Sequence, residues 1–333
     1  MEVGFFYWPF STDLTRRLAQ AAEEYGYDMI GVADTPGNAM DPWISATLIA
    51  VQTTRPKVAL CVTNLTSRHP AATAAAIASL DLVSGARAVL GIGAGNSGTK
   101  NLGVGSAKAE ALKDGVRFIK TLLSGQRAEY QGASAHLPWV KRAPPVFQAG
   151  SLPRSLAAAG AAADGVFSNY GLDAQSLRAS VAHVSSGAVA AGRSPAELDI
   201  WQIACLDCHD EREVARKKLG AILAFVSGYV IGGGDLAARG VPERFIEPLR
   251  ELRRRYSTRP GDADARMVDE LGLFDYLAGR LAVWGDAQDC LQQALAAKAA
   301  GATRLMFTVS LAADPVRTVE LFGEKVLPVL KAA

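Results

Sequence analysis

From residue 3 to residue 330 the chain repeats one pattern, a short apolar run rich in β-branched and aromatic residues followed by a stretch of helical period. The runs at 3–8, 29–33, 58–63, 89–93, 146–149, 166–169, 198–205 and 304–309 predict strands. The stretches between and after them predict helices, the first ending at Glu24 and the others at 42–52, 71–83, 108–123, 154–163, 174–191, 211–225 and 315–330. Ser11 is a suitable N-cap for the first helix, and Gly26 stops it. Strands that alternate with helices form parallel sheets, and eight such units in 333 residues predict closure into a barrel. The expected fold class is α/β, a (β/α)8 TIM barrel in one domain over residues 1–333. The rhythm fails at 227–280, where helical patterns such as 243–255 intervene. That stretch predicts a helical insertion before the eighth strand, capping the barrel and closing over a pocket.

Charge narrows the partners. Lysine and arginine number 35 against 33 aspartates and glutamates, a formal charge of +2, which is too balanced for the field that nucleic acid or an anionic membrane requires. Apolar runs are cut before the roughly 18 residues of a spanning helix. The first ten residues lack the cationic and apolar regions of a secretion signal. Cys61, Cys205, Cys208 and Cys290 are too few for a disulfide framework and suit a reducing compartment. A cytoplasmic protein acting on a small molecule is expected, with neither nucleic acid nor membrane as partner.

Several motifs carry chemistry elsewhere. Gly93-Ala94-Gly95-Asn96-Ser97-Gly98 satisfies the glycine spacing of a dinucleotide fold, but it sits in the fourth unit and no helical period opens behind it. Cys205-Leu206-Asp207-Cys208-His209 spells a haem-attachment motif, yet its first cysteine closes an apolar strand, so buried thiols and a loop histidine are expected. His69, His136, His183 and His209 are scattered without ligand spacing, and no metal site is predicted. In Phe5-Phe6-Tyr7-Trp8, alternation packs Phe5 and Tyr7 against helices and leaves Trp8 as a candidate for the substrate pocket. Arg253, Arg254 and Arg255 read as a solvated helix face, with contact to an anionic ligand as the alternative.

The stretch from Cys61-Val62-Thr63-Asn64 through Arg68-His69-Pro70 to Gly91-Ile92-Gly93-Ala94-Gly95 resembles the luciferase-like flavin and deazaflavin oxidoreductases. Pro145-Val146-Phe147-Gln148-Ala149-Gly150, Ala163-Asp164-Gly165-Val166-Phe167-Ser168-Asn169 and Trp284-Gly285-Asp286 extend the likeness along nearly the whole chain. Within that superfamily it is most similar to the methylenetetrahydromethanopterin reductases, which use the deazaflavin coenzyme F420. The resemblance implies a (β/α)8 barrel, a homodimer, and F420 or alternatively FMN held at the C-terminal strand ends. Asp34, Cys61, Val62, Thr63, Asn64, Gly93, Ala94, Gly95, Asn96, Gly150, Ser151, Ser168 and Asn169 are the implied cofactor-binding residues, with Asp34 also the candidate catalytic group. The amides of Gly150 and Ser151, ahead of Pro153, are expected to meet the coenzyme's phosphate.

The resemblance also implies a non-prolyl cis peptide, which maps to Cys61-Val62. Several relatives carry a histidine directly after the strand-two acid, where this chain has Thr35, so acid–base chemistry by histidine is lost there. What remains is hydride transfer between the reduced deazaflavin and a small organic acceptor. An FMN-dependent monooxygenase, served by a separate flavin or F420 reductase, is the alternative, and a non-catalytic flavin-binding barrel is a further one. Helices two and three, with Ile44, Leu48, Ala72, Ala75 and Ala76, are the candidate dimer faces.

Overall fold

The computed structural model describes residues 1–231, 233–259 and 264–333. Its strands are β1 (Glu2–Tyr7), β2 (Met29–Val32), β3 (Lys57–Asn64), β4 (Ala88–Gly93), β5 (Ala128–Tyr130), β6 (Ala133–Ala135), β7 (Val146–Gly150), β8 (Gly165–Ser168), β9 (Asp199–Cys208), β10 (Ala282–Gly285) and β11 (Arg304–Thr308). β1, β2, β3, β4, β7, β8, β9 and β11 pair in parallel in that order, and β11 returns to β1, closing a barrel of eight strands. Both faces of the sheet are covered, which is why its strands are almost wholly apolar. Met29, Ala59, Val89, Phe147, Phe167, Trp201 and Met306 fill the interior. Val3, Phe5, Ile30, Val58, Leu60 and Leu90 face the helices.

Three features depart from the simple eightfold count. The polar stretch at 126–138 contains the antiparallel hairpin β5–β6. The last helix is two, Pro315–Lys325 and Leu327–Ala332, broken at Val326 two residues before Pro328. The third departure is β10. Gln202 pairs with both Ser168 of β8 and Leu305 of β11, and Cys205 with both Thr308 of β11 and Ala282 of β10. β8 and β10 therefore share one edge of the ten-residue β9, and β10 takes over where β8 ends.

The expected insertion is present before the eighth barrel strand as the helices Glu243–Arg254, Met267–Glu270 and Phe274–Leu281; its residues 232 and 260–263 lie outside the described residues. The preceding helix, Arg212–Val230, runs past its expected end at 225. Leu249, Leu252, Leu277 and Phe225 share a core with Trp8, Ala33 and Cys205, so the insertion packs on the end of the barrel where β1 and β2 finish. Among the described residues no helix is long and apolar enough to cross a membrane.

The haem-like motif has a structural role. Cys205 and Cys208 are buried free thiols, and His209 Nδ1 accepts from the Glu211 amide at 3.0 Å. Asp207, fully buried, accepts from the Ala313 amide at 3.0 Å and holds the loop after β11. Burial pushes its carboxyl up to about 6, against the lowering effects of the Ala313 hydrogen bond, His209 and Thr318. Between the ordinary carboxylate value and about 6 the folded chain keeps a proton that the unfolded chain has released, so stability falls as pH rises through that window. Denaturant unfolding from pH 4 to 6.5 is expected to show this fall in the wild type and to lose it in Asp207→Asn. An identical slope in the variant contradicts the assignment.

Candidate active site

A cavity of about 670 Å³ opens at the C-terminal ends of the barrel strands. Its walls include Trp8, Asp34, Cys61, Val62, Thr63, Asn64, Gly93, Ala94, Gly95, Asn96, Gly150, Ser151 and Asn169. Ser168 is not among the lining residues. Alternation along β8 puts Phe167 inside the barrel and Val166 among the outer helices, and Ser168 shares the parity of Val166. Its buried hydroxyl has no hydrogen-bond partner among the described residues.

One wall is made by β3 and β4. The Cys61–Val62 peptide is cis, as the resemblance implies, and the β3–β4 register slips between Leu60 and Thr63, a bulge at the end of β3. Val62 lies against the flat backbone of β4: a Cβ on Gly93 would stand 3.0 Å from a Val62 methyl. Thr63 Oγ1 donates to Asp34 Oδ2 at 2.6 Å, tying the ends of β3 and β2 together. Burial raises the Asp34 carboxyl above its ordinary value, the Thr63 hydrogen bond opposing it. Asn64 Oδ1 accepts from the amides of Thr66 and Ser67, so its carbonyl side closes a turn. Burial keeps Cys61 a thiol.

After β4 the chain turns at Gly95, φ +90°, and a short helix, Ser97–Lys100, presses against the end of β2. A Cβ on Gly98 would meet the Asp34 carbonyl oxygen at 2.5 Å, so only glycine permits this approach. His69, by contrast, caps the helix Pro70–Val83, its Nδ1 accepting from the Ala71 amide. The helix Pro153–Ala162 also caps itself: Ser155 Oγ accepts from the Ser151 and Leu152 amides at 3.2 and 3.0 Å. The Ser151 amide expected to meet a phosphate is thus already bonded, and a phosphate there has to displace the Ser155 hydroxyl.

The roof comes from residues that carry no sequence motif. Phe225 meets Trp8 edge to face at 4.9 Å and lies 6.0 and 5.8 Å from Tyr229 and Tyr256. Asn96 Nδ2 donates to the Tyr256 hydroxyl at 2.5 Å, and burial pushes that phenol up to about 12. Asn169 Nδ2 donates to the Tyr229 hydroxyl at 3.4 Å, while its buried Oδ1 has no partner among the described residues. Two cations complete the lining. Lys100 Nζ lies 5.6 Å from the Tyr256 ring centre, and Arg253 reaches the cavity without a carboxylate partner among the described residues. Arg254 and Arg255 form the solvated face, paired with Glu247, Glu251 and Glu270.

The profile described as luciferase-like monooxygenase matches residues 9–304. A 5,10-methylenetetrahydromethanopterin reductase from Methanolobus tindarius is 26% identical over 317 residues, covering 93% of this chain and 94% of that protein. The coenzyme F420 dependent tetrahydromethanopterin reductase of Methanopyrus kandleri superposes with a TM-score of 0.80 over 99% of both chains at 24% identity. The oxygenating constituent of 3,6-diketocamphane monooxygenase from Pseudomonas putida, in complex with FMN, does so at 0.67 over 98% of both, with 19% identity. At those identities the two structures share the fold with this chain.

Proposed function

The chain belongs to the luciferase-like monooxygenase family, and from that membership we propose that it moves a hydride between coenzyme F420 and a small organic acceptor at the barrel mouth. The observation that carries this reading is the orphaned Asn169 Oδ1 in a cavity walled by backbone on one side and by aromatic rings on another. Flavin and deazaflavin rings carry an imide N–H, and a buried acceptor without a partner is costly unless a ligand supplies that donor. The reductase relatives, and Thr35 in place of histidine, favour the deazaflavin and simple hydride transfer.

Val62 and Gly93 would back the ring, with Cys61, Ala94 and Asn96 beside it, and Lys100 and Arg253 give the mouth the positive charge a phosphate-bearing coenzyme calls for. Bound F420 supplies the hydride chemistry; the protein's residues orient the partners and exclude water. Trp8, Phe225, Tyr229 and Tyr256 shield the reacting face. Among the described residues Asp34 is the one carboxyl group in the walls, and the burial that raises its pKa makes it the candidate proton donor.

Equilibrium titration of the purified apoprotein is expected to give tighter binding of F420 than of FMN. Tighter FMN binding, accompanied by oxygen consumption with reduced FMN, moves the assignment to the monooxygenase alternative. We also propose a homodimer. Ile44 and Val51 on the helix Pro42–Gln52, and Leu82 and Val83 on Pro70–Val83, are exposed apolar residues, Val51 at 67% and Leu82 at 65%. Light scattering at micromolar concentration is expected to give twice the chain mass of 35.0 kDa; a monomer mass refutes the dimer.

A further inference from the structure

The cavity wall holds a pair of hydroxyl groups with one proton more than their own hydrogen bonds consume. Trp8 Nε1 donates to Thr35 Oγ1 at 3.1 Å, and Thr35 Oγ1 lies 3.3 Å from Ser97 Oγ. Both hydroxyl residues line the cavity and are nearly inaccessible, 4% exposed for Thr35 and 9% for Ser97. An indole N–H only donates, so it occupies a lone pair of Thr35 and consumes neither hydroxyl proton. Two protons remain for one hydroxyl–hydroxyl bond, whichever residue donates in it. Neither side chain makes any other hydrogen bond among the described residues. One O–H of the pair is therefore left without an acceptor among the described residues, on a side chain that lines the cavity, a costly arrangement unless a ligand takes it.

The chain is built to make this pair. Gly98, the residue after Ser97, allows the short helix to sit against the Asp34 carbonyl, and that approach brings Ser97 beside Thr35. Trp8 is itself fixed, its amide donating to Ser310 Oγ at 3.0 Å and its ring set against Phe225.

We propose that the Thr35–Ser97 pair donates a hydrogen bond to the carbonyl oxygen or imine nitrogen of the acceptor and stabilises the charge that builds there during hydride transfer, with Trp8 as the positioning residue. The inference rests on the hydride-transfer reading above. The acceptor carbon gains a hydride, the π pair of its C=O or C=N bond moves onto oxygen or nitrogen, and the coenzyme is oxidised by the same two electrons. A proton from solvent or Asp34 then neutralises the product. Hydrogen-bond donors aimed at developing charge are among the strongest catalytic devices, because they are already oriented when the charge appears. A coenzyme carbonyl is a second source of the same acceptor chemistry, and binding measurements separate the two.

The test compares wild type, Thr35→Val, Ser97→Ala, the double variant and Thr35→Ser, all checked for folding by thermal unfolding. F420 affinity is titrated, and turnover of reduced F420 is followed with cyclohexenone, benzaldehyde and a cyclic imine as acceptor probes. The double variant is expected to lose about 100-fold in kcat, with KM and F420 affinity changed by less than about threefold, and Thr35→Ser to restore most of the rate. Wild-type turnover with unchanged kcat in the double variant overturns the inference and leaves hydride transfer standing. A matching loss of F420 affinity also overturns it, assigning the proton to the coenzyme. No wild-type turnover with any probe refutes both the inference and the hydride-transfer reading beneath it.

Discussion

A parallel barrel buried on both faces leaves its polar groups few places to go, and the rest of this structure follows from that constraint. Inside stand Met29, Phe147, Phe167 and Trp201; outside, the strands meet helices through residues such as Ile30, Val58 and Leu90. Hydrogen-bonding side chains gather where the strands stop, at Asp34 after β2, Thr63 and Asn64 at the end of β3, Asn96 after β4 and Asn169 after β8. The chemistry of the site is thus a product of where the sheet ends.

Two close approaches give that site its shape. The bulged end of β3 sets Val62 against the bare backbone of β4, and Gly98 lets the following turn rest on the end of β2. The opposite side is added by the insertion, which contributes aromatic rings and Arg253, so among the described residues the cavity combines a flat backbone wall, an aromatic roof, a single carboxyl group and two cations. No nucleophile activated by a base is present among its described residues. This is a room suited to orienting a planar ligand and excluding water from it.

Much of this was legible in the sequence, for physical reasons. Strands buried on both faces read as apolar runs, and the wall residues from Cys61 to Asn64 and Gly93 to Asn96 sit at their ends. β10 was hidden, because it has four residues and follows the helix Phe274–Leu281 with no turn between them. Ser168 lies outside the cavity lining because which way a strand residue points depends on an exact register, and alternation sends it to the helix layer. The arginine triplet hid its outcome for a similar reason. Consecutive helical residues point about 100° apart, so Arg253 faces the cavity while its neighbours pair with glutamates. The Ser155 hydroxyl that already occupies the Ser151 amide, and the Trp8–Thr35–Ser97 chain, are products of tertiary contact and leave no pattern along the sequence.

The proposed hydride transfer requires the coenzyme to lie between the β3–β4 wall and the aromatic roof. Amide hydrogen exchange with and without F420 tests it directly. Protection is predicted at 61–64, 93–98 and 225–230, on both sides of the cavity together. Protection confined to the opposite end of the barrel, or to the surface groove at 286–291 and 321–325, would rule that position out.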